Sequence, residues 1–441
     1  TANWLKSAVF YDSYDRAIQT QSNNHLDLNA VDKSSVLYNT IRRVARTKLT
    51  HTAQSVTTHI TQWNVYDHAG RVQKTYHKIN SNDSVLVAQY DYNALGQLVD
   101  KKLHKTGATS FLQSVDYRYN IRGWLTSINN DKLKSDNGIT NDDTDDYFGL
   151  EMMYEKTDTL GGSQFFNGNV SAIKWKGPGK AGYGNRRSYK FAYDKSDKLK
   201  AATFQAHAGS AATNWSKEAN TLNEVLTYDH NGNILTLDRK RNARTLGGSD
   251  VASSVDYLTY GYAANSNLLV SVQDTDTAGG FKNLANTGSE YAHNSDGSMT
   301  RDDNKGISSI TYNMLGKPQV VTFANGQKVE YIYDASGTKL TVKTWQGATL
   351  KSVTNTAGGL VYEGSTPALS NFFSPEGRVV ISGANFEYQY AIADHQGNTR
   401  VVFTSAPAAP QSYFANMEAA TNTNFNNYTS RVNFDLMDHT D

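Results

Sequence analysis

The chain has 441 residues, which exceeds the usual size of one hydrophobic core, so we expect two or three domains or one repeat array. Its 43 lysines and arginines nearly cancel its 42 aspartates and glutamates, and no long block of one sign occurs, which argues against a protein that binds nucleic acid through charge. The absence of cysteine excludes disulfides and thiolate metal sites, and the absence of a run of about 18 apolar residues excludes a membrane-spanning helix.

The composition is typical of strands and tight turns. The chain contains 33 glycines and 27 tyrosines, and Gly, Asn, Asp and Thr are frequent between aromatic pairs. The segment VEYIYD shows the alternation of a strand. Val329, Tyr331 and Tyr333 fall on one face, and Glu330 and Ile332 fall on the other. We therefore predict an all-β fold.

One short motif, YDxxG, recurs along the chain. It is clearest as YDHAGRV from Tyr66, YDHNGNIL from Tyr228 and YDASGTKL from Tyr333. A spacing that drifts between about 20 and 35 residues indicates a series of hairpins rather than a strict solenoid. In chain order the glycines of the copies are Gly70, Gly96, Gly123, Gly232, Gly316, Gly337 and Gly397, with weaker copies at Asp15, Asp197, Ser266, Gly297 and Gly377 and a shortened one in 165–175.

Each copy has the residues of a tight turn. Asp or Asn at the first turn position, as in Asp67 and Asn93, accepts hydrogen bonds from backbone amides two residues further on. Glycine at the fourth position adopts positive φ at little cost, which predicts a type I turn closed by a bulge. Asp15 and Asp197 tolerate that conformation better than most residues, whereas Ser266 does not. The residues predicted to build the turns are Tyr66, Asp67, Gly70, Tyr92, Asn93, Gly96, Tyr119, Asn120, Gly123, Tyr228, Asp229, Gly232, Tyr333, Asp334 and Gly337.

Aromatic residues flank the turns at a period of two. On an extended strand each pair projects to one side, where we expect it to stack on the pair of the next hairpin. A single hairpin is marginally stable in water, so neighbours placed edge to edge would cover each other's strand edges. The motif is therefore predicted to build the fold rather than to catalyse a reaction. The pairs are Tyr90/Tyr92, Tyr117/Tyr119, Phe191/Tyr193, Tyr260/Tyr262, Tyr331/Tyr333 and Tyr388/Tyr390.

These units closely resemble the YD repeats of the RHS family of large bacterial surface and secreted proteins, which is related to animal teneurins. The resemblance extends from FYDSYDRAIQTQ, near the start of the chain, to DHQGNTRVVF, which ends at residue 403. The second string is similar to the DHLGNxR signature of the family's core region. Asp394, His395, Gly397, Asn398 and Arg400 match that signature, and glutamine replaces its leucine.

The resemblance implies a YD-repeat β-hairpin ribbon that spirals into a hollow shell, which these residues need not close. In RHS toxins the shell encloses a variable C-terminal toxin domain until delivery, so the expected partner is a C-terminal effector domain of the same polypeptide. The resemblance also implies a secreted or cell-surface bacterial protein, exported by a type VI or a type IX system. The chain contains no DPxGL-like cleavage motif, so neither autoproteolysis nor cargo identity can be carried over.

Residues 1–405 are predicted to form the shell. Residues 406–441 are predicted to be a linker and the start of a following domain, because the segment SYFANMEAATNTNFNNYTSRVNFDLMDHTD departs from the turn pattern. No signal peptide is visible at the first residues, and we expect the chain to be a piece of a longer protein.

Four other features could carry chemistry, but a structural interpretation is preferred for each. The acidic NDDTDDYFG, 141–149, could hold calcium but lacks the EF-hand spacing. The glycine-rich KGPGKAGYGNRR, 176–187, could bind phosphate, but no apolar strand and helix flank it. His68, His230 and His395 are interpreted as turn residues rather than metal ligands. Asp394 with His395 suggests acid–base chemistry, but no serine or cysteine nucleophile can be identified.

The leading hypothesis is a non-enzymatic shell segment that encapsulates and presents an effector, without cofactor, metal or nucleic acid, in competition between bacteria. The alternative is a cell-surface adhesin or glycan-binding module. Exposed aromatic side chains could stack on sugars, although tyrosine rows more often pack between strands.

Overall fold

The structure, a computed structural model, describes residues 4–406 apart from 157, 159, 178–185, 208–214, 244–248, 277–278, 286–287 and 384. These residues form 30 strands and no helix, so the predicted all-β fold is confirmed. The described part accordingly has no helix of the length and apolarity that a membrane span requires. The predicted following domain, 406–441, lies outside the described residues except for its first residue, as does 178–185 of the glycine-rich segment.

The first sheet is a meander of 18 strands, each paired antiparallel with its neighbours in sequence. Its strands are β1 (Ser7–Tyr11), β2 (Ala17–Ser22), β3 (Asp32–Tyr38), β4 (Val44–Ala53), β5 (Val56–Tyr66), β6 (Val72–Ile79), β7 (Val85–Tyr92), β8 (Leu98–Lys105), β9 (Phe111–Tyr119), β10 (Leu125–Ile128), β11 (Gly149–Met153), β12 (Ala172–Lys176), β13 (Arg187–Tyr193), β14 (Leu199–Ala206), β15 (Glu224–Tyr228), β16 (Ile234–Asn242), β17 (Ala252–Tyr262) and β18 (Leu269–Asp274).

The second sheet is a meander of 12 strands with the same antiparallel neighbour pairing. Its strands are β19 (Tyr291–His293), β20 (Met299–Asp302), β21 (Ile307–Tyr312), β22 (Pro318–Phe323), β23 (Gln327–Tyr333), β24 (Lys339–Gln346), β25 (Thr349–Ala357), β26 (Leu360–Glu363), β27 (Ala368–Ser374), β28 (Gly377–Ser382), β29 (Asn385–Ala393) and β30 (Thr399–Thr404).

A buried glutamate joins the two sheets where strand pairing stops between β18 and β19. The Glu290 amide donates to the Val270 carbonyl at 2.8 Å, and its carboxylate accepts from the Val272 amide at 2.8 Å. The Asn304 side chain donates to the same carboxylate at 2.8 Å. Because these bonds replace strand pairing, the ribbon continues from one sheet into the next.

The YDxxG segments lie at the hairpin bends. At Asn93, the side-chain oxygen accepts hydrogen bonds from the amides of Leu95 and Gln97, each at 3.0 Å, and the Gly96 amide donates to the Asn93 carbonyl at 2.9 Å. Gly96 has φ +84°, and the strand register shifts by one residue beside the turn, as a bulge requires. The same backbone bonds and a positive φ at the glycine recur in the turns that begin at Asp67, Asn120, Asp229, Asp334 and Asp394.

Four turns show which residues can replace glycine as the left-handed residue. Asp15 and Asp197 adopt positive φ, as the sequence suggested, and so does Arg42 in YNTIRRV, a turn that the motif search missed. In YAANSNL the Ser266 amide donates to the Ala263 carbonyl, as a turn glycine would, but the left-handed residue is Asn265. Ser266 thus occupies the glycine position of the turn without adopting positive φ, as expected of serine, and the left-handed conformation passes to Asn265 because asparagine tolerates that region better.

Gly377 closes a different kind of bend. It pairs with Ser374 across a two-residue loop, so FFSPEGRVV is a tight hairpin rather than a YDxxG turn. A Cβ at Gly377 would lie 2.1 Å from the Gln389 carbonyl oxygen on β29, which leaves room for glycine alone.

Most tyrosines that precede a turn are tied to the preceding hairpin by a hydrogen bond, whereas Tyr119, before the Asn120 turn, makes no such bond with the described residues. The Tyr92 hydroxyl donates to the Val72 carbonyl at 2.8 Å, and the Tyr228 hydroxyl donates to the Leu199 carbonyl at 2.7 Å. In every case the acceptor stands two residues after the left-handed residue of an earlier turn. We call each such bond a rung. The other rungs are Tyr38–Ala17, Tyr66–Val44, Tyr154–Leu125, Tyr193–Val170, Tyr262–Ile234, Tyr312–Met299 and Tyr333–Pro318.

The expected stacking of one aromatic pair on the next is not found among the described ring contacts. Tyrosines of successive hairpins stand two strands apart, roughly 10 Å, which is too far for rings to stack. A cation covers the ring instead. The Arg71 guanidinium lies 4.6 Å from the centre of the Tyr92 ring, and Arg16 lies 4.6 Å from that of Tyr38.

The two sheets share one hydrophobic core, and neither sheet closes on itself. Within the described residues, β1 pairs only with β2, and β30 pairs only with β29. The predicted ribbon is thus an open, incomplete wall. The core brings together Ala53, Ile79, Val87, Ala88, Leu103, Val115 and Ile128 of the first sheet with Leu360, Phe372, Val379, Tyr390, Ile392 and Phe403 of the second.

Replacement of Asn93 by alanine is expected to lower the free energy of unfolding by about 1 kcal/mol, because two turn amides lose their acceptor. The matched control is Asn82→Ala, in the exposed loop between β6 and β7, whose side chain makes no hydrogen bond with the described residues. Urea denaturation measures both variants. Equal stabilities for the two would contradict the assigned role of Asn93.

Candidate functional site

The predicted core signature forms the turn between β29 and β30. The Asp394 carboxylate accepts hydrogen bonds from the amides of Gln396 at 2.9 Å and Asn398 at 3.0 Å, and Arg400 Nη2 lies 2.7 Å from it. Burial alone would raise the pKa of Asp394, but the bonds from Arg400 and Asn398 lower it. Gly397 supplies the positive φ, +86°. The signature residues therefore hold a charged turn in place.

A groove of about 460 Å³ lies beside this turn, between the two sheets. His395 and Asp394 line it on one side, and Lys101 and Tyr117 line it on the other. Burial lowers the pKa of His395. The residues that line the groove include no serine, threonine or cysteine, so the considered pairing of Asp394 and His395 finds no such nucleophile there.

Four polar contacts cross from the first sheet to the second, and we call this set the seam. His77 Nδ1 lies 2.9 Å from the Tyr388 hydroxyl, and His104 Nδ1 lies 2.8 Å from the Tyr390 hydroxyl. The two other contacts meet at Glu376 in the β27–β28 loop, whose carboxylate accepts from the Tyr90 hydroxyl at 2.5 Å and from Lys101 Nζ at 2.9 Å.

The charged half of the seam is a buried ion pair. The side chains of Lys101 and Glu376 are each 16% exposed. Burial would lower the pKa of Lys101, but neighbouring Tyr117 and Glu376 raise it, so the ammonium is retained. Burial and the negative charge of Glu376 raise the pKa of Tyr90, so its hydroxyl keeps the proton that it donates.

The neutral half of the seam consists of two imidazoles against two phenols. His77 is 2% exposed, and burial lowers its pKa from 6.5 to about 4. Burial also lowers the pKa of His104 and raises the pKa values of Tyr388 and Tyr390. At neutral pH all four side chains are therefore uncharged.

The predicted turn residues are not gathered into one pocket. They lie in successive bends along the ribbon, and of all the predicted site residues only Tyr119, Asp394 and His395 line the groove. His68 and His230 lie in separate turns, as interpreted from the sequence. Within the described residues, no group of three or more His, Asp or Glu side chains is placed to hold a metal ion.

The acidic segment 141–149 is a partly buried loop that is held by amides. The Asp146 carboxylate accepts from the Asn129 side chain at 2.8 Å, and the Asp142 amide donates to the Asp116 carboxylate at 3.0 Å. Burial raises the pKa of Asp146 to about 7 and that of Asp116 to about 6. Hydrogen bonds to carboxyl groups thus tie the loop to β9 and to the residue after β10.

The sequence analysis missed every residue of the seam except the aromatic ones. A signal was present, because His25, His51, His77 and His104 are spaced by 26, 26 and 27 residues, close to the repeat spacing. Side chains at one position of successive hairpins fall on the same face of a meander.

No protein-family model matches the sequence. No curated protein is significantly similar to it. The chain is nevertheless similar in structure to a chain of the Photorhabdus luminescens Tc holotoxin pore with a point mutation in TccC3. The two are 14% identical with a TM-score of 0.56, and the alignment covers 88% of this chain and 18% of the other.

Two further structures align over 92% of this chain and 22% of their own, each with a TM-score of 0.50. One is TcdB2-TccC3 without its hypervariable C-terminal region, 13% identical, and the other is TcdB2-TccC3-Cdc42, 14% identical. The chain therefore spans about a fifth of the length of the chains that it matches. The shared fold is an RHS-like β-wall, whereas membership in the YD-repeat family by sequence stays a prediction.

Replacement of Glu376 by glutamine is expected to lower the free energy of unfolding by about 3 kcal/mol, because a buried ammonium loses its counter-ion. The Lys101→Met and Glu376→Gln double variant should lose less than the sum of the two single variants, since no unpaired charge remains. Chemical denaturation measures the cycle, with Glu363→Gln at the exposed end of β26 as the control. Additive losses would show that the pair is not coupled.

Proposed function

We propose that this chain is a wall segment of the shell of a secreted RHS-type bacterial toxin, and that it acts as a structural element rather than as an enzyme. The observation that carries the proposal is the continuous ribbon of antiparallel hairpins, which aligns over 88% of its length with a chain of a Tc holotoxin pore. The proposal extends from that fold to a role in containment.

A ribbon of this kind suits containment for a physical reason. Each hairpin pairs with its neighbours on both sides, so the wall between β1 and β30 has few unpaired backbone groups. Within each sheet, the strands between the two edge strands offer an enclosed chain no free edge with which to pair. Confinement by shape needs no catalytic group, in agreement with a site made of turns and packing contacts.

The first strand supports the proposal that further strands extend the wall. Tyr11 precedes a turn as the rung tyrosines do, but it is 60% exposed and its hydroxyl makes no hydrogen bond with the described residues. Trp4 and Phe10 beside it are 70% and 47% exposed. A further hairpin docked on β1 would cover these rings and supply the missing carbonyl acceptor.

The enclosed partner that we propose is a C-terminal effector domain of the same polypeptide, used in competition between bacteria. The similar TcdB2-TccC3 structure lacks a hypervariable C-terminal region, which supports a variable domain after the shell. Export through a type VI or a type IX system follows from the sequence resemblance, and the ribbon itself does not favour either.

The proposal is tested on the full-length polypeptide that carries this chain. Electron cryomicroscopy should show the ribbon around additional density, and trypsin should digest the downstream domain when it is produced alone but not within the intact protein. A downstream domain that lies outside the ribbon and is digested equally in both forms would contradict the proposal. Binding of such a protein to a glycan array would favour the adhesin alternative.

A further inference from the structure

We propose that the seam is sensitive to pH, and that protonation of His77 and His104 separates the second sheet from the first in mildly acidic solution. The inference concerns the wall itself, so it can be tested without an enclosed effector. Only its consequence for a contained domain rests on the proposed function.

The geometry places both imidazoles where a positive charge has no counter-ion. His77 faces Tyr388 on β29, with ring centres 5.7 Å apart, and Phe372 on β27, with ring centres 6.1 Å apart. His104 faces Tyr390 and Tyr388, with ring centres 5.5 Å and 5.7 Å apart. None of these three neighbours carries a negative charge at neutral or acidic pH.

The nearest charged groups are already paired with each other. Glu376 in the β27–β28 loop is bonded to Lys101 on β8 and to Tyr90 on β7. Tyr117 on β9 acts on Lys101 and not on either histidine. An imidazolium at His77 would therefore lack both water and a free carboxylate, and one at the partly buried His104 would lack a free carboxylate. A buried charge of that kind is strongly unfavourable.

The first two histidines of the row provide a contrast. His51 Nδ1 lies 2.8 Å from the Asp32 carboxylate on β3, beside the Tyr362 ring on β26. His25 is half-buried, which lowers its pKa, and Asn355 on β25 acts in the opposite direction. A carboxylate therefore faces His51, whereas none faces His77 or His104 in the contacts above, so the pH sensitivity is assigned to His77 and His104.

The pH window follows from the direction of the pKa shift. A folded-state pKa of about 4 for His77 lies below the ordinary 6.5, so the closed seam is fully favoured above pH 6.5 and loses stability as the pH falls toward 4. At pH 5 this difference corresponds to an increase of about 30-fold in the equilibrium constant for exposing His77. His104 acts in the same direction.

Global unfolding is a poor measure of this effect, because the acidic loop has the opposite dependence on pH. The raised pKa values of Asp116 and Asp146 mean that the folded loop binds protons, so its stability increases as the pH falls through 7 and 6. A probe inside the seam is therefore required.

The chain contains no cysteine, so a single introduced thiol reports exposure without background. Ala88→Cys places the probe in the shared core on β7, and Ala206→Cys places a matched probe on β14, in a separate cluster with Phe204 and Leu222. Labelling rates are measured at pH 8 and pH 5 with a disulfide reagent that reacts at both. They are divided by the rate of Ser84→Cys in the exposed β6–β7 loop, which gives a protection factor.

The expected result is a loss of about 30-fold or more in the protection of Ala88→Cys between pH 8 and pH 5, with little change for Ala206→Cys. In the His77→Gln and His104→Gln background, the loss should be abolished, because glutamine can bond the phenol but cannot take up a proton. His59→Gln, on β5 outside the seam, should leave the loss unchanged. Each single glutamine variant should reduce the loss of protection in part, which keeps the test valid if the double variant does not fold.

Three results would overturn the inference. The first is equal protection of Ala88→Cys at both pH values. The second is an equal loss in the double glutamine variant, which would assign the opening to other groups. The third is a parallel loss at Ala206→Cys, which would indicate general unfolding instead of separation of the sheets.

Discussion

The rung, the hydrogen bond from a turn tyrosine to a carbonyl of the preceding hairpin, is the interaction on which the rest of the structure depends. A single hairpin is marginal in water, and strand pairing alone does not fix how far one bend stands from the next. Burial raises the pKa of tyrosines such as Tyr92 and Tyr228, so each hydroxyl keeps its proton and donates. Because each rung joins only neighbouring hairpins, the ribbon is a nearest-neighbour assembly of one repeated unit.

The seam adds a second constraint of a different kind. It brings β6–β8 of the first sheet against β27–β29 of the second, positions separated by 275 to 311 residues in sequence. Its contacts combine a buried ion pair with two neutral imidazoles. The packing of the second sheet on the first therefore depends on the protonation of these side chains, whereas the rungs do not. Local bonds therefore build the wall, whereas titratable long-range bonds hold β6–β8 against β27–β29.

The sequence was informative where the physics is local. A turn needs an acceptor at its first position and a left-handed residue at its fourth, and both requirements are visible in YDHNGNIL. The rungs were not predicted, since the acceptor of a tyrosine depends on the register between strands. The turn at Arg42 was not predicted, because arginine is not a residue type that indicates positive φ. The seam was not predicted, because the regular spacing of His77 and His104 predicts a contact only when the second sheet is known to pack on the first.

The most direct test of the rung as the coupling element is hydrogen exchange in Tyr228→Phe, which removes one hydroxyl and keeps the ring. The account predicts faster amide exchange in the two hairpins that this rung joins, β13–β14 and β15–β16, with no change in β5 and β6. Unchanged exchange in both joined hairpins, or equally faster exchange across the whole ribbon, would contradict the claim that rungs hold neighbouring hairpins together.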